Sequence, residues 1–306
     1  MGQLENIFSW SKSRNEQFHE CRRKYYYDKY ASWGGWDKRA PQEARLAYVL
    51  KNLKNRWAWK GETVHHTIEE VLKSLRRGQP VPFEVAAEQL TQTMRRDWKN
   101  SKAGQYREEP KKTTGLFEHE YSVPVDDATW KKIHDTSVEA LKNFYGSSLY
   151  AELLKDDPLR WLVIEDLEDF DFEGSKIFVK LDFSREKDGF VEIYDWKTGK
   201  TNGDTTIQMG AYAIYAMQKW SKPLGRIRGF VFNLTKAGPV AEEEKLTDKL
   251  IEETKIFMRK SIGEMQALLS DVPKNVPKVR EFFPFTDNPK YCDSCNFYRM
   301  CEKFSA

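Results

Sequence analysis

The Asp188-Gly189 step constrains this chain most, because it separates two short runs, 176–184 and 190–195, that are rich in β-branched and aromatic residues. Asp-Gly between two extended runs is a hairpin turn, since both residues tolerate positive φ. Glu173-Gly174 stands before the first run in the same way, with Trp161-Leu162-Val163-Ile164 further upstream. Residues 161–195 therefore read as an antiparallel meander. A helix over about 205–220, a strand over 229–234 and a helix over about 245–270 follow. Strands and helices in this order predict an α/β core with a central mixed sheet flanked by helices.

Upstream of Pro158 the pattern is helical. Residues 13–30 and 43–58 read as helices, the second ending near Gly61. Across 61–77, Val64, Ile68, Val71, Leu72 and Leu75 recur at helical spacing until Gly78 and Pro80 end the run. Segments 83–99 and 128–150 also read as helices, separated by a polar, lysine-rich and mobile stretch at 101–114. The expectation is one domain over 1–306: a basic helical region (1–60), a motif helix (61–77), a helical insertion (78–159), an α/β core (160–270) and a C-terminal tail (271–306).

With 306 residues and 40% apolar content, the chain can bury a core unaided. Its net charge of +3, from 50 basic and 47 acidic residues, argues for no particular partner. Charge is nonetheless segregated: 13 basic against 6 acidic residues in 1–60, but 2 against 9 in 151–175. The basic region carries Trp10, Trp33, Trp36, Trp57, Trp59 and Tyr25-Tyr26-Tyr27, faces on which single-stranded bases can stack; each is as compatible with ordinary core packing. No stretch approaches the roughly 18 apolar residues of a membrane helix, and the N-terminus has no signal-peptide core. The expected setting is therefore cytoplasmic, with no membrane partner.

Asp182 and Asp195 lie near the ends of the two runs that flank the hairpin. On neighbouring strands their carboxylates can converge on a hard cation such as magnesium or manganese. Lys197, two residues beyond Asp195, points to the same face and can stabilise charge building on a phosphoryl group. Upstream, His65 and Glu69 are four apart on the motif helix; downstream, Gln208 and Tyr212 have the same spacing. Each pair alone is ordinary helix surface.

The ordered set Gly61-x-x-x-His65-x-x-x-Glu69, Asp182, Asp195-Trp196-Lys197-Thr198-Gly199 and Gln208-x-x-x-Tyr212 resembles the RecB-like branch of the PD-(D/E)xK nuclease superfamily. That resemblance implies metal binding by His65, Asp182, Asp195 and the main-chain carbonyl of Trp196. It implies catalysis by Lys197, with Gln208 and Tyr212 in support and Glu69 as an additional acid. Lys180 stands where many relatives carry Gly, two residues before the first acid.

All four cysteines have one account. Cys292, Cys295 and Cys301 close the chain and Cys21 lies near its start, a set suited to zinc or to an iron–sulfur cluster. The split resembles the iron–sulfur subset of the same branch, which includes AddB-type nuclease domains and the CRISPR adaptation nuclease. It implies a 4Fe-4S cluster that clips the N-terminal helix to the tail and holds Arg22, Arg23 and Lys24 as nucleic-acid contacts. The function implied is a metal-dependent DNA exonuclease acting on single strands or ends in DNA repair, recombination or CRISPR-type defence, with a helicase or CRISPR integrase as partner. A non-catalytic scaffold and an endonuclease or RNA nuclease on the same fold are the alternatives.

Overall fold

The computed structural model describes residues 5–199, 205–236, 238 and 241–304. In chain order, β1 (Ser9–Trp10) leads into α1 (Lys12–Glu20), α2 (Arg22–Tyr26) and α3 (Gln42–Lys51). The short β2 (Leu53–Lys54) precedes α4 (Arg56–Arg76) and α5 (Phe83–Lys102). Next come β3 (Gly115–Leu116), α6 (Phe117–Glu120), α7 (Asp127–Tyr145) and α8 (Ser148–Leu153). Five strands follow: β4 (Trp161–Ile164), β5 (Leu167–Phe172), β6 (Ser175–Lys180), β7 (Phe183–Lys187) and β8 (Phe190–Lys197). The chain continues through α9 (Thr206–Lys219), β9 (Ile227–Asn233), β10 (Ala241–Glu244) and α10 (Asp248–Gln266).

The main sheet has the order β10-β9-β8-β7-β4, and it is mixed because β8 and β9 run parallel around the α9 crossover. Residues alternate between its faces. Val191 and Ile193 pack toward α9 and α10, whereas Phe183, Tyr194 and Trp196 pack against the core that contains α4, α5 and α7. Gly210 lets α9 cross α10 closely, since a Cβ there would fall 2.1 Å from Thr254 Oγ1.

The hairpins form where the turn residues place them: Glu173 and Gly174 have φ of 53° and 78°, Asp188 and Gly189 of 50° and 80°. The run at 176–184, however, is two strands in two sheets. β6 pairs with β5 and β1 in a separate three-stranded sheet, while β7 belongs to the main sheet. β5 escaped sequence reading because Leu167-Glu168-Asp169-Phe170-Asp171-Phe172 is half carboxylate.

Three helical expectations also change. The helix over 13–30 breaks at Cys21, whose extended backbone (φ −163°) ends α1 and caps α2. Gly61 lies inside α4 rather than beyond a helix end, because Asn55 caps that helix by accepting from the N–H groups of Trp57 and Ala58. Stretch 101–114 is not a loose connector: Tyr106 is buried, and β3 directly after it pairs with β2.

Candidate active site

The two sheets share a crease. β4 and β7 pair as far as Ile164 with Phe183, and β5 and β6 resume at Leu167 with Lys180, so the linkers 165–166 and 181–182 face each other where the strands leave one sheet for the other. Glu165 adopts φ 54° there and its N–H donates to the Asp182 carbonyl at 2.9 Å. Both acidic side chains are buried in the crease.

His65 reaches the same point from α4. Its Nδ1 lies 2.9 Å from Glu165 Oε1 and 3.3 Å from Asp182 Oδ1. One ligand atom from each of His65, Glu165 and Asp182 lies within 4.8 Å of the others. Burial alone would lower the imidazole pKa, but Asp182 and Glu165 outweigh it and raise it to about 10.

β7 begins at Phe183, which pairs with Tyr194, so β8 beyond Tyr194 has no strand on that side. Asp182 fills the gap: its Oδ2 accepts from the Trp196 N–H at 2.6 Å. The Trp196 carbonyl projects to the same side of the strand as its N–H, hence toward Asp182. Asp195 and Lys197 occupy the opposite face, toward α9, with Asp195 Oδ2 2.5 Å from Lys197 Nζ. Burial first, and then the Asp182 charge, raise the Asp195 carboxyl to about 6.

Gln208 and Tyr212 join this group from α9. Gln208 Nε2 donates to Asp195 Oδ1 at 3.2 Å and to the Tyr212 hydroxyl at 2.7 Å, while Gln208 Oε1 accepts from Lys197 Nζ at 3.2 Å. The Tyr212 hydroxyl donates to the Lys180 carbonyl at 2.6 Å, tying α9 to the crease. His65, Asp182, Asp195, Trp196, Lys197, Gln208 and Tyr212 all line one cleft of about 660 Å³.

The cleft thus pairs two carboxylates with a lysine two residues after one of them, on a mixed sheet with a parallel β8-α9-β9 unit. The family model described as the PD-(D/E)XK nuclease superfamily matches residues 9–302. The chain belongs to this superfamily. Among solved structures, a candidate exonuclease from Eubacterium rectale is 13% identical, with 60% of this chain and 74% of that one covered and a TM-score of 0.31. The protein SSO0001 is 12% identical, with 61% and 92% covered and a TM-score of 0.28. No curated protein matches the chain.

One residue expected at the site lies elsewhere. Glu69 is engaged on the helix surface, 2.6 Å from Lys73 and 3.1 Å from His66, because the i,i+4 lysine lies nearer than the crease. The acid beside His65 is Glu165, which sequence reading missed. It belongs to the acidic stretch 151–175, where nine carboxylates offered no means of choosing one. Lys180 meets it as well, with Nζ 2.7 Å from Glu165 Oε2.

Arg23 is not a surface contact for nucleic acid. It is buried, donating from Nε to the Phe283 carbonyl at 2.9 Å and pairing with Glu302 at 2.8 Å. Its guanidinium fastens α2 to the C-terminal tail. Lys24 pairs with Glu20 at 2.8 Å, and Arg22 is exposed with its guanidinium over the Phe18 ring. Cys21, Cys292, Cys295 and Cys301 line one small cavity together with Tyr27, Phe297 and Phe304. No disulfide joins any two of them. Burial, with Cys21 and Cys301 adding to it, raises the Cys295 thiol to about 11. No helix among the described residues is long and apolar enough to cross a membrane.

Proposed function

We propose that this superfamily member is a divalent-metal-dependent deoxyribonuclease that works as an exonuclease on single-stranded DNA or DNA ends. The observation that carries the reading is the buried convergence of His65, Glu165 and Asp182 beside Asp195 and Lys197. Carboxylates this close repel one another, and an oxygen-rich set with one imidazole suits magnesium or manganese. His65, Asp182, Asp195 and the Trp196 carbonyl would hold the ion, with Glu165 behind His65. Such an ion, when bound, lowers the pKa of water and offsets charge on the phosphoryl oxygens.

The chain's own groups do the rest. Lys197 Nζ, held between Asp195 and Gln208, is placed to stabilise charge building on the scissile phosphate. Gln208 fixes the Asp195 carboxylate and is itself fixed by Tyr212, so three side chains share one rigid arrangement. Residues 78–159 supply helices α5 and α7, which pack on α4, the helix that carries His65.

We further read the four thiols as ligands of a 4Fe-4S cluster. Four cysteine side chains facing one cavity are the donor set such a cluster requires. The task is structural, because the same ends already meet through Arg23 and Glu302.

The test is anaerobic purification followed by magnesium or manganese addition, with end-labelled single-stranded, duplex and circular DNA and with RNA, using the parent protein and Lys197→Ala. Release of mononucleotides from linear DNA by the parent alone is expected. Cutting of circular DNA or of RNA points to the alternative nuclease readings, and activity surviving in Lys197→Ala would falsify the site. Broad absorbance near about 400 nm distinguishes an iron–sulfur cluster from zinc.

A further inference from the structure

The open face of β6 presents Lys176, Phe178 and Lys180 in a row, while Ser175, Ile177 and Val179 are buried behind it. At about 3.3 Å per residue the row spans roughly 13 Å. Lys180 lies at the carboxylate cleft; Lys176 lies in a second cleft, of about 350 Å³, lined also by Lys29, Tyr30, Trp33 and Lys51. Phe178 and Arg14 line both clefts and form the divide between them, the Arg14 guanidinium standing 5.5 Å from the ring centroid.

Arg14 is half-buried, and its hydrogen-bond acceptors among the described residues are the Ser9 carbonyl, at 2.8 Å, and the Ser9 hydroxyl. Burial lowers its pKa, and the neighbouring Tyr25, Asp28 and Tyr30 offset only part of that. A half-buried guanidinium held by neutral acceptors gains from an arriving anion. Lys29 and Lys51, by contrast, share Asp28 at 3.1 and 3.6 Å, and Lys176 lies 3.1 Å from the exposed Asp169. Trp33 is 39% exposed at the far wall, edge-on to Trp36.

We propose that a single-stranded polynucleotide runs from the carboxylate cleft across the Arg14–Phe178 divide along the Lys180-Phe178-Lys176 row into the second cleft, with Arg14 and Lys176 on its phosphates and Phe178 and Trp33 under its bases. Cations alternating with aromatic faces along one groove are what sequence-independent strand binding uses. The inference rests on the nuclease reading for its starting point, but it assigns the strand's path and its contacts separately.

Binding is measured in a Lys197→Ala background, so that the strand is not cut, using fluorescent oligothymidylates from two nucleotides upward and oligouridylates of the same lengths. Trp33→Ala is expected to weaken the long strands roughly five- to a hundredfold, the range for loss of one stacked base, and Lys176→Glu to weaken them as well. The penalty should grow with strand length, and Lys176→Glu should flatten the salt dependence. Equal affinities for parent and both variants at every length, with unchanged circular dichroism, overturn the path. A length-independent loss does so too, since it places the effect elsewhere. If the wild-type protein cuts no strand, yet these length-dependent losses appear, the hydrolytic reading fails and the path stands; oligothymidylate against oligouridylate affinity then decides DNA or RNA.

Discussion

Glu165 Oε1 lies 2.9 Å from His65 Nδ1, although 100 positions separate the two residues. The contact holds the imidazole ring beside Asp182 and gives its Nδ1 a carboxylate partner, which leaves Nε2 as the nitrogen to hold a metal. Groups of this kind behind a metal-binding histidine typically change affinity by 10–100-fold. Glu165→Gln is therefore expected to weaken manganese binding by about that factor, as read by calorimetric titration of the folded variant. Unaltered affinity would show that the acid is incidental.

Protonation of the metal-free site is set by burial and by Asp182, with Glu165 adding to it at His65. His65 is raised to about 10 and Asp195 to about 6, so in both cases the folded protein holds protons that the unfolded chain has released. The stability His65 contributes is fully present below its unfolded value of 6.5 and is lost as pH rises through about 10. Asp195 has the same sign at lower pH, its burial costing stability as pH rises from its unfolded 3.8 through about 6. Metal must displace these protons, so manganese affinity should rise with pH and binding should release protons. Titration calorimetry in buffers of different ionisation enthalpy measures this; affinity independent of pH between 5 and 8 contradicts it.

Gly61 is a test of how α4 meets the catalytic strand. A Cβ there would stand 3.1 Å from Thr198 Oγ1, next to Lys197. Gly61→Ala should gain up to about 1 kcal/mol of helix propensity. It should also push the 197–198 segment and lower turnover by roughly ten- to a hundredfold. Higher stability with lower activity is the expected pair of outcomes; unchanged turnover shows that Thr198 yields freely.

The joined termini make two separable predictions. Arg23→Ala removes hydrogen bonds to the Phe283 carbonyl and to Glu302, at a cost of about 2–3 kcal/mol by denaturant melting. If the thiols hold the proposed cluster, Cys295→Ala should cost more in anaerobically purified protein, on the order of 4–5 kcal/mol by analogy with a cross-link closing a very long loop. Identical melting of cluster-loaded and iron-stripped protein would remove the structural role assigned to the thiols.

Much of the site was legible because its chemistry is local. Asp195 and Lys197 share a face by strand period, and Gln208 and Tyr212 by helix period, so their grouping needs no knowledge of the fold. The same rule misled at Glu69, where helical spacing from His65 held but Lys73 captured the carboxylate. It misled again at Arg23, whose place in a basic run gave no hint that the tail would bury it.

Local sequence sets the hairpin turns, the apolar stripe of α4, the order of strands and helices around β8, and the residues that β8 and α9 bring to one face. These depend on φ preferences and side-chain periods that act within a few residues. The tertiary structure alone decided that 176–184 divides between two sheets, that Glu165 and Asp182 meet in the crease this division opens, and that Arg14 and Phe178 separate two clefts. Those outcomes depend on where twisted sheets diverge and on which distant groups fill the opening, and neither is set by neighbours along the chain.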